Sequence, residues 1–266
     1  IKTIDYDTTG YGHIDFNLQN PALADLRVRQ ALAHAIDMRT LWEKIDHRSG
    51  HLDCTPVSHL SWAYDAHAPC YPFDLRAAAA LLDTAGWQMG ADGVRHKGSL
   101  SLRFAFAGNT GNPGLDARVL LIERWFKQIG VSLSYFRYPT NKLFASYAGG
   151  GVVATRKYDL TSYAWTLPPD PDLINLIACS RISPNGQNYM AYCDHRVDAA
   201  MADALLHYNR SRRRNDYIEM QQRLAHDAPF VVISQRTDHL SYNDDFTGLR
   251  PGPELVFWNP AEISTR

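Results

Sequence analysis

The chain has 266 residues, 27 Lys and Arg against 28 Asp and Glu, a formal net charge of −1, and 45% hydrophobic residues. These proportions belong to a folded globular chain and exclude the disordered, collagen-like and low-complexity classes. The neutral balance gives no electrostatic case for a nucleic-acid partner, and no apolar run approaches the length of a membrane-spanning helix.

No secretory signal pattern opens the sequence. Ile1-Lys2-Thr3-Ile4 lacks an initiator Met and reads as the middle of a longer chain. Residues 14–20 alternate and break at Asn20-Pro21, a strand end. Asp25 is placed to cap a helix whose inner face is Val28, Ala31, Leu32, Ala35 and Ile36. Residues 46–73 form a loop rich in Pro, His, Ser and Asp, too long for an inert connection, so it is functional or stapled. His47, His51, His59 and His67 crowd this loop. Their spacings of 4, 8 and 8, interrupted by Pro56 and Pro69, put no three on one helical face. They read as solvated, and no metal ligand set is expected.

The four cysteines form two local pairs, Cys54 with Cys70 and Cys179 with Cys193, neither of them a CxxC. Two readings stand. Two short-range disulfides would each close a loop worth about 3 kcal/mol and imply an oxidising compartment. Four buried thiols would suit the cytosol.

Asp74 is placed to cap a second helix (Leu75, Ala78, Leu81, Leu82 and Ala85 inward), with Gly86 as its left-handed stop. Residues 88–99 read as a turn. Leu100, Leu102, Phe104 and Phe106 alternate as a strand. A loop over 108–114 leads into a helix with the buried stripe Leu115, Val119, Ile122, Phe126 and Ile129, ended by Gly130. Val131, Leu133 and Tyr135 follow as a strand, which makes a βαβ unit with parallel strands. A further helix is expected over 141–148, stopped by Gly149-Gly150-Gly151. A third strand over 159–165 is closed by Pro168-Pro169-Asp170-Pro171. Two helices follow, one using Val197, Met201, Ala204, Leu205 and Tyr208, the next Tyr217, Met220 and Leu224. Pro229 then precedes a buried strand over 230–233, and the tail has no clear element. The pattern is α/β with a mostly parallel central sheet flanked by helices.

No GxSxG, HExxH or phosphate-loop spacing occurs, so the chain is not read as an enzyme and no cofactor is expected. The loop at 108–114 sits where open α/β sheets place ligands, at the carboxyl end of a strand. Arg210, Arg212, Arg213 and Arg214 read as a solvated helix start. The most unusual stretch is 163–172. Trp165 offers a stacking face and one donor, and an Asp beyond it is available to pair with a cationic group. The competing reading is a core Trp followed by a capping Asp.

Several segments together resemble a family. Asp25, Arg27, Val28, Arg29, Ala31, Leu32, Ala35, Ile36 and Asp37 follow the "d-x-R-V-R-x-A-L-x-x-A-I-D" signature of oligopeptide and dipeptide solute-binding proteins of ABC importers. Tyr71, Pro72 and Asp74, then Leu81, Leu82, Ala85, Gly86 and Trp87, resemble its "yP-x-D…A-x-x-L-L-x-x-A-G-W". Ile129-Gly130-Val131, the stretch from Asp159 to Trp165 with Asp170-Pro171, and that from Asn188 to Asp198 match later motifs in order and spacing. The resemblance covers the C-terminal portion of such proteins. It implies a periplasmic-binding-protein type II-like lobe: 1–20 as a strand and hinge segment of a first lobe, 21–236 as the second α/β ligand-binding lobe, and 237–266 as a return segment.

The resemblance also implies a periplasmic location, a Cys179–Cys193 disulfide, capture of a peptide or peptide-like molecule between lobes, delivery to ABC permease membrane subunits, and a monomer. Other members take nickel complexes or sugars, and similar lobes serve as sensors in transcription regulators. Peptide-binding members place an ammonium-binding Asp three residues after the Trp, where this chain has Pro168, and some place a carboxylate-binding Arg three before it, where it has Ser162. The expected site is therefore Trp165 for stacking, with hydrogen bonds from Thr166, Ser162, Asn109 and Asp170. A single lobe is expected to bind ligand weakly by itself.

Overall fold

A computed structural model describes residues 1–168 and 170–266. Pro169, part of the expected Pro-rich stop, lies outside the described residues. The chain opens with the long strand β1 (Lys2–Phe16). Helix α1 (Leu26–His34) is capped as its sequence suggested, the Asp25 carboxylate accepting from Arg27 N–H. Helix α2 (Met38–Lys44) is capped by Asp37, and α3 (Leu75–Thr84) by Asp74, with Gly86 beyond its end at φ +85°.

Residues 88–99, expected as a turn, instead carry two short strands. β2 (Gln88–Met89), β3 (Arg95–Lys97) and β4 (Leu100–Ser101) make a small antiparallel sheet. The βαβ unit follows as β5 (Arg103–Asn109), α4 (Pro113–Gln128) and β6 (Ser132–Tyr138), its two strands parallel. Helix α5 (Thr140–Leu143) is shorter than the expected 141–148. The chain instead turns back, Val152 and Val153 N–H donating to Lys142 and Leu143 carbonyls, so both valines pack against Leu143.

Next come β7 (Leu160–Thr166), α6 (Ile174–Ile177), α7 (His195–Leu206) and α8 (Arg210–Asp227). Strand β8 (Phe230–Tyr242) is far longer than the apolar run that announced it. The tail adds the short antiparallel pair β9 (Phe246–Thr247) and β10 (Ser264–Thr265).

The main sheet runs β6-β5-β7-β1-β8. β5 is parallel to β6 and β7, while β1 runs antiparallel to both its neighbours. Residues 10–16, expected to belong to an entering segment, lie between β7 and β8 in this sheet. Side chains alternate across it. Ile14 and Phe16 of β1 and Val231 and Ile233 of β8 share one core with α1, α3 and α4, through Val28, Leu32, Leu82, Ile122 and Phe126. Tyr11, Phe230 and Val232 face the opposite core, filled by Val197, Met201, Tyr217, Met220 and Leu224 of α7 and α8.

Two motifs have structural explanations. Arg29 is 6% exposed and donates to the Leu23, Ala24 and Asp227 carbonyls, tying α1 to the end of α8. Asn188 is fully buried and donates to the Ile177, Ala178 and Tyr192 carbonyls, holding the loop that precedes α7. Both cysteine pairs are disulfides, Cys54–Cys70 and Cys179–Cys193. Beyond the sheet, residues 2–7 pair only with 237–242, a two-stranded ribbon leaving the lobe. A bulge at residues 8–10 separates ribbon from sheet, since Asp7 faces Thr237 but Tyr11 faces Gln235.

Candidate functional site

Because side chains alternate along β7, Thr161, Tyr163 and Trp165 share one face. The register with β1 sets Tyr163 opposite His13 and Trp165 opposite Tyr11. Trp165 and Tyr163 meet edge to face at 5.8 Å, and Phe144, just past α5, meets Tyr163 at 5.6 Å. Tyr189 and Gln187, from the loop pinned by Asn188, and Val153 complete a hollow of about 450 Å³. It sits beside the carboxyl end of β7, where open α/β sheets place ligands.

Beneath the aromatic wall lies a polar cluster. His13 Nε2 is 3.1 Å from Asp15 Oδ1, with the two side chains 3% and 1% exposed. The Tyr163 hydroxyl donates to the other Asp15 oxygen. Burial, and then the Asp15 carboxylate, push the Tyr163 hydroxyl pKa well above its ordinary value. Tyr158 is raised for the same two reasons, and its hydroxyl donates to the Tyr189 carbonyl at 3.0 Å. The hydroxyls that hold the wall therefore stay protonated donors through the neutral range. The cluster fixes the Tyr163 ring, and that ring supports Trp165 from the side.

The structure divides the expected site residues. Trp165 lines the hollow. Thr166 is exposed at the end of the same strand, opposite Gly10. Ser162 is 6% exposed on the opposite face of β7, beside Ile14, and does not reach the hollow. Asn109, half-buried at the end of β5 opposite Tyr138, is not among its lining residues. Asp170 is engaged elsewhere, accepting from Arg213 at 2.8 Å and from Trp62 Nε1 at 3.2 Å. Its carboxylate is already paired with a cation of this chain, which argues against a free ammonium site there.

Tyr163, Phe144, Tyr189 and Gln187 were missed by sequence reasoning. The period-2 alternation that placed Trp165 would have found Tyr163 two residues earlier. Phe144, Tyr189 and Gln187 arrive from irregular segments with no periodic signal.

The family model for bacterial extracellular solute-binding proteins, family 5 (middle), matches residues 1–183. The oligopeptide-binding protein AppA of Bacillus subtilis is 25% identical over 94% of this chain and 46% of its own length. A dipeptide-binding protein of Pseudomonas aeruginosa is 23% identical over 91% of this chain and 43% of its own. The solved structure of B. subtilis AppA in complex with a nonapeptide superposes with a TM-score of 0.89 at 24% identity, over all of this chain and 52% of that one. The chain thus spans about half the length of the relatives it matches.

Proposed function

We propose, for a chain that belongs to the family 5 bacterial extracellular solute-binding proteins, that it forms one wall of a ligand cleft serving an ABC importer. The ligand is a peptide or peptide-like molecule, and the bound protein delivers it to the membrane permease subunits. Capture is by packing and hydrogen bonding, without covalent chemistry. The observation that carries this reading is the aromatic wall of Tyr163, Trp165 and Phe144 over a hollow of about 450 Å³. An open aromatic face with few fixed charges suits the backbone and mixed side chains of a peptide better than one charged group. The names of its relatives, oligopeptide- and dipeptide-binding proteins, support the same class.

In this reading the β1/β8 ribbon is the link to the remaining lobe, which supplies the opposite wall, and ligand is trapped when the two close. The two disulfides favour the periplasm or cell exterior, and no described helix is long and apolar enough to cross a membrane.

Isothermal calorimetry of the full-length protein against di-, tri- and nonapeptides tests the proposal. Trp165→Ala is expected to weaken binding by ~2 kcal/mol, about 30-fold, as for a buried aromatic anchor. Saturable peptide binding unchanged by that substitution would refute the site. No binding across the panel would refute the ligand class.

A further inference from the structure

The histidine-rich loop did not explain itself by spacing, but the fold adds a residue that spacing hides. Asp7, at the bulge end of the ribbon, comes against the loop at His51 and His59. Both Nε2 atoms converge on one carboxylate oxygen, His51 at 2.9 Å and His59 at 3.4 Å from Asp7 Oδ2. The two imidazoles meet at 4.5 Å, and the three ligand atoms all lie within 4.8 Å of one another. A hydrogen bond to Asp7 accounts for His51. It does not account for a second Nε2 brought to the same oxygen.

We propose that Asp7, His51 and His59 form a binding site for a divalent transition-metal ion of the copper, nickel and zinc type. Two imidazoles and one carboxylate are the donor set these ions prefer. With metal–ligand bonds of about 2.1 Å, ligand atoms stand roughly 3.4 Å apart at a tetrahedral angle and about 3.0 Å apart at a right angle. The two observed separations from Asp7 match those values.

The ligands are held in advance. Thr237 Oγ1 donates to the other Asp7 oxygen at 2.5 Å, leaving Oδ2 to face the imidazoles. His51 is fixed by a two-way backbone bridge to Gln235, at 3.0 and 2.8 Å. Gly50 makes this approach possible at φ +77°, where a Cβ would stand 2.1 Å from the Gln235 carbonyl oxygen. Close to His59, the Ser58 hydroxyl donates to the Thr8 carbonyl at 3.4 Å, docking the loop on the bulge, and the Cys54–Cys70 disulfide closes the same loop. With His51 half exposed, the ion keeps positions open to water or an added ligand.

The test is calorimetric titration of tag-free protein with CuCl2, NiCl2 and ZnCl2, without peptide. One ion per chain is expected. His51→Ala and His59→Ala should each weaken binding by about 100-fold, and Thr237→Val by about 10-fold. His239→Ala, at a histidine paired instead with Asp5, should leave it unchanged. The copper form should show two coordinating nitrogens by electron paramagnetic resonance, and one in His59→Ala. Metal-free melting of each variant separates lost ligands from lost folding. No saturable binding of any of the three ions would overturn the proposal, as would parental affinity in the His51→Ala/His59→Ala double variant. Either failure would leave the peptide reading untouched.

Discussion

The buried cluster under the aromatic wall makes a sharp prediction about Tyr163→Phe. The change deletes one hydroxyl and leaves the ring contacts with His13 and Trp165 in place. Asp15 is 1% exposed and faces two polar partners, His13 and the Tyr163 hydroxyl. Without the hydroxyl, one carboxylate oxygen of this buried group loses its donor. A hydrogen bond to a charged group is worth about 1.5–3 kcal/mol, and its loss in a buried site is felt in full. For a chain of this size that corresponds to a fall in Tm of roughly 3–6 °C.

Tyr158→Phe provides the internal standard. Its hydroxyl is equally buried but donates to a neutral carbonyl, that of Tyr189, so its loss should cost about 1 kcal/mol. Urea unfolding followed by Trp fluorescence measures both. A Tyr163→Phe variant within about 0.5 kcal/mol of the parent, or no worse than Tyr158→Phe, would refute the reasoning.

The same tyrosines set an alkaline limit. Unfolded tyrosine titrates near pH 10, while burial and then Asp15 hold Tyr158 and Tyr163 well above that in the fold. Above about pH 10 the folded state therefore retains protons that the unfolded state loses, and stability falls as pH rises. Melting scans from about pH 8 to about pH 11 should show this fall, with a shallower slope in the Tyr158→Phe/Tyr163→Phe double variant; equal slopes would contradict it. Replacing Cys179 and Cys193 with Ala should cost about 3 kcal/mol, from the freedom returned to the unfolded loop. Urea midpoints of parent and variant, both free of reductant, check that figure.

How much of this was legible depended on whether a residue's role leaves a local pattern. Asp25 and Asp74 announced α1 and α3 because capping demands a side-chain acceptor immediately before an apolar stripe. The β5-α4-β6 unit was legible because all its elements are amphipathic, with periods that switch at Gly130. The outer half of β8 was not. Residues 237–242 are held by pairing with 2–7 rather than by burial, so hydrophobicity carries no trace of them. The helix expected over 141–148 failed because tertiary packing of Val152 and Val153 on Leu143 overrode local propensity.

The site divides the same way. Trp165 stood out by residue type and Tyr163 was implied by alternation, whereas Ser162 is buried beside Ile14, because neighbouring strand residues face opposite ways. Asp170 looked available from sequence, and only the fold shows Arg213 and Trp62 already holding it.

The ribbon has a mechanical consequence. Its two strands run antiparallel, with Lys2 opposite Tyr242. Tension applied through these two ends acts along the interstrand hydrogen bonds, which in an antiparallel pair lie perpendicular to the strands. The bonds are then loaded one rung at a time, as in a zip, instead of sharing the load in shear. A pull on the ends opens the ribbon from the Lys2–Tyr242 rung toward the Asp7–Thr237 rung before it loads the sheet beyond the bulge. In the proposed two-lobe arrangement, strain passing through the ribbon is spent on its rungs before it reaches the aromatic wall.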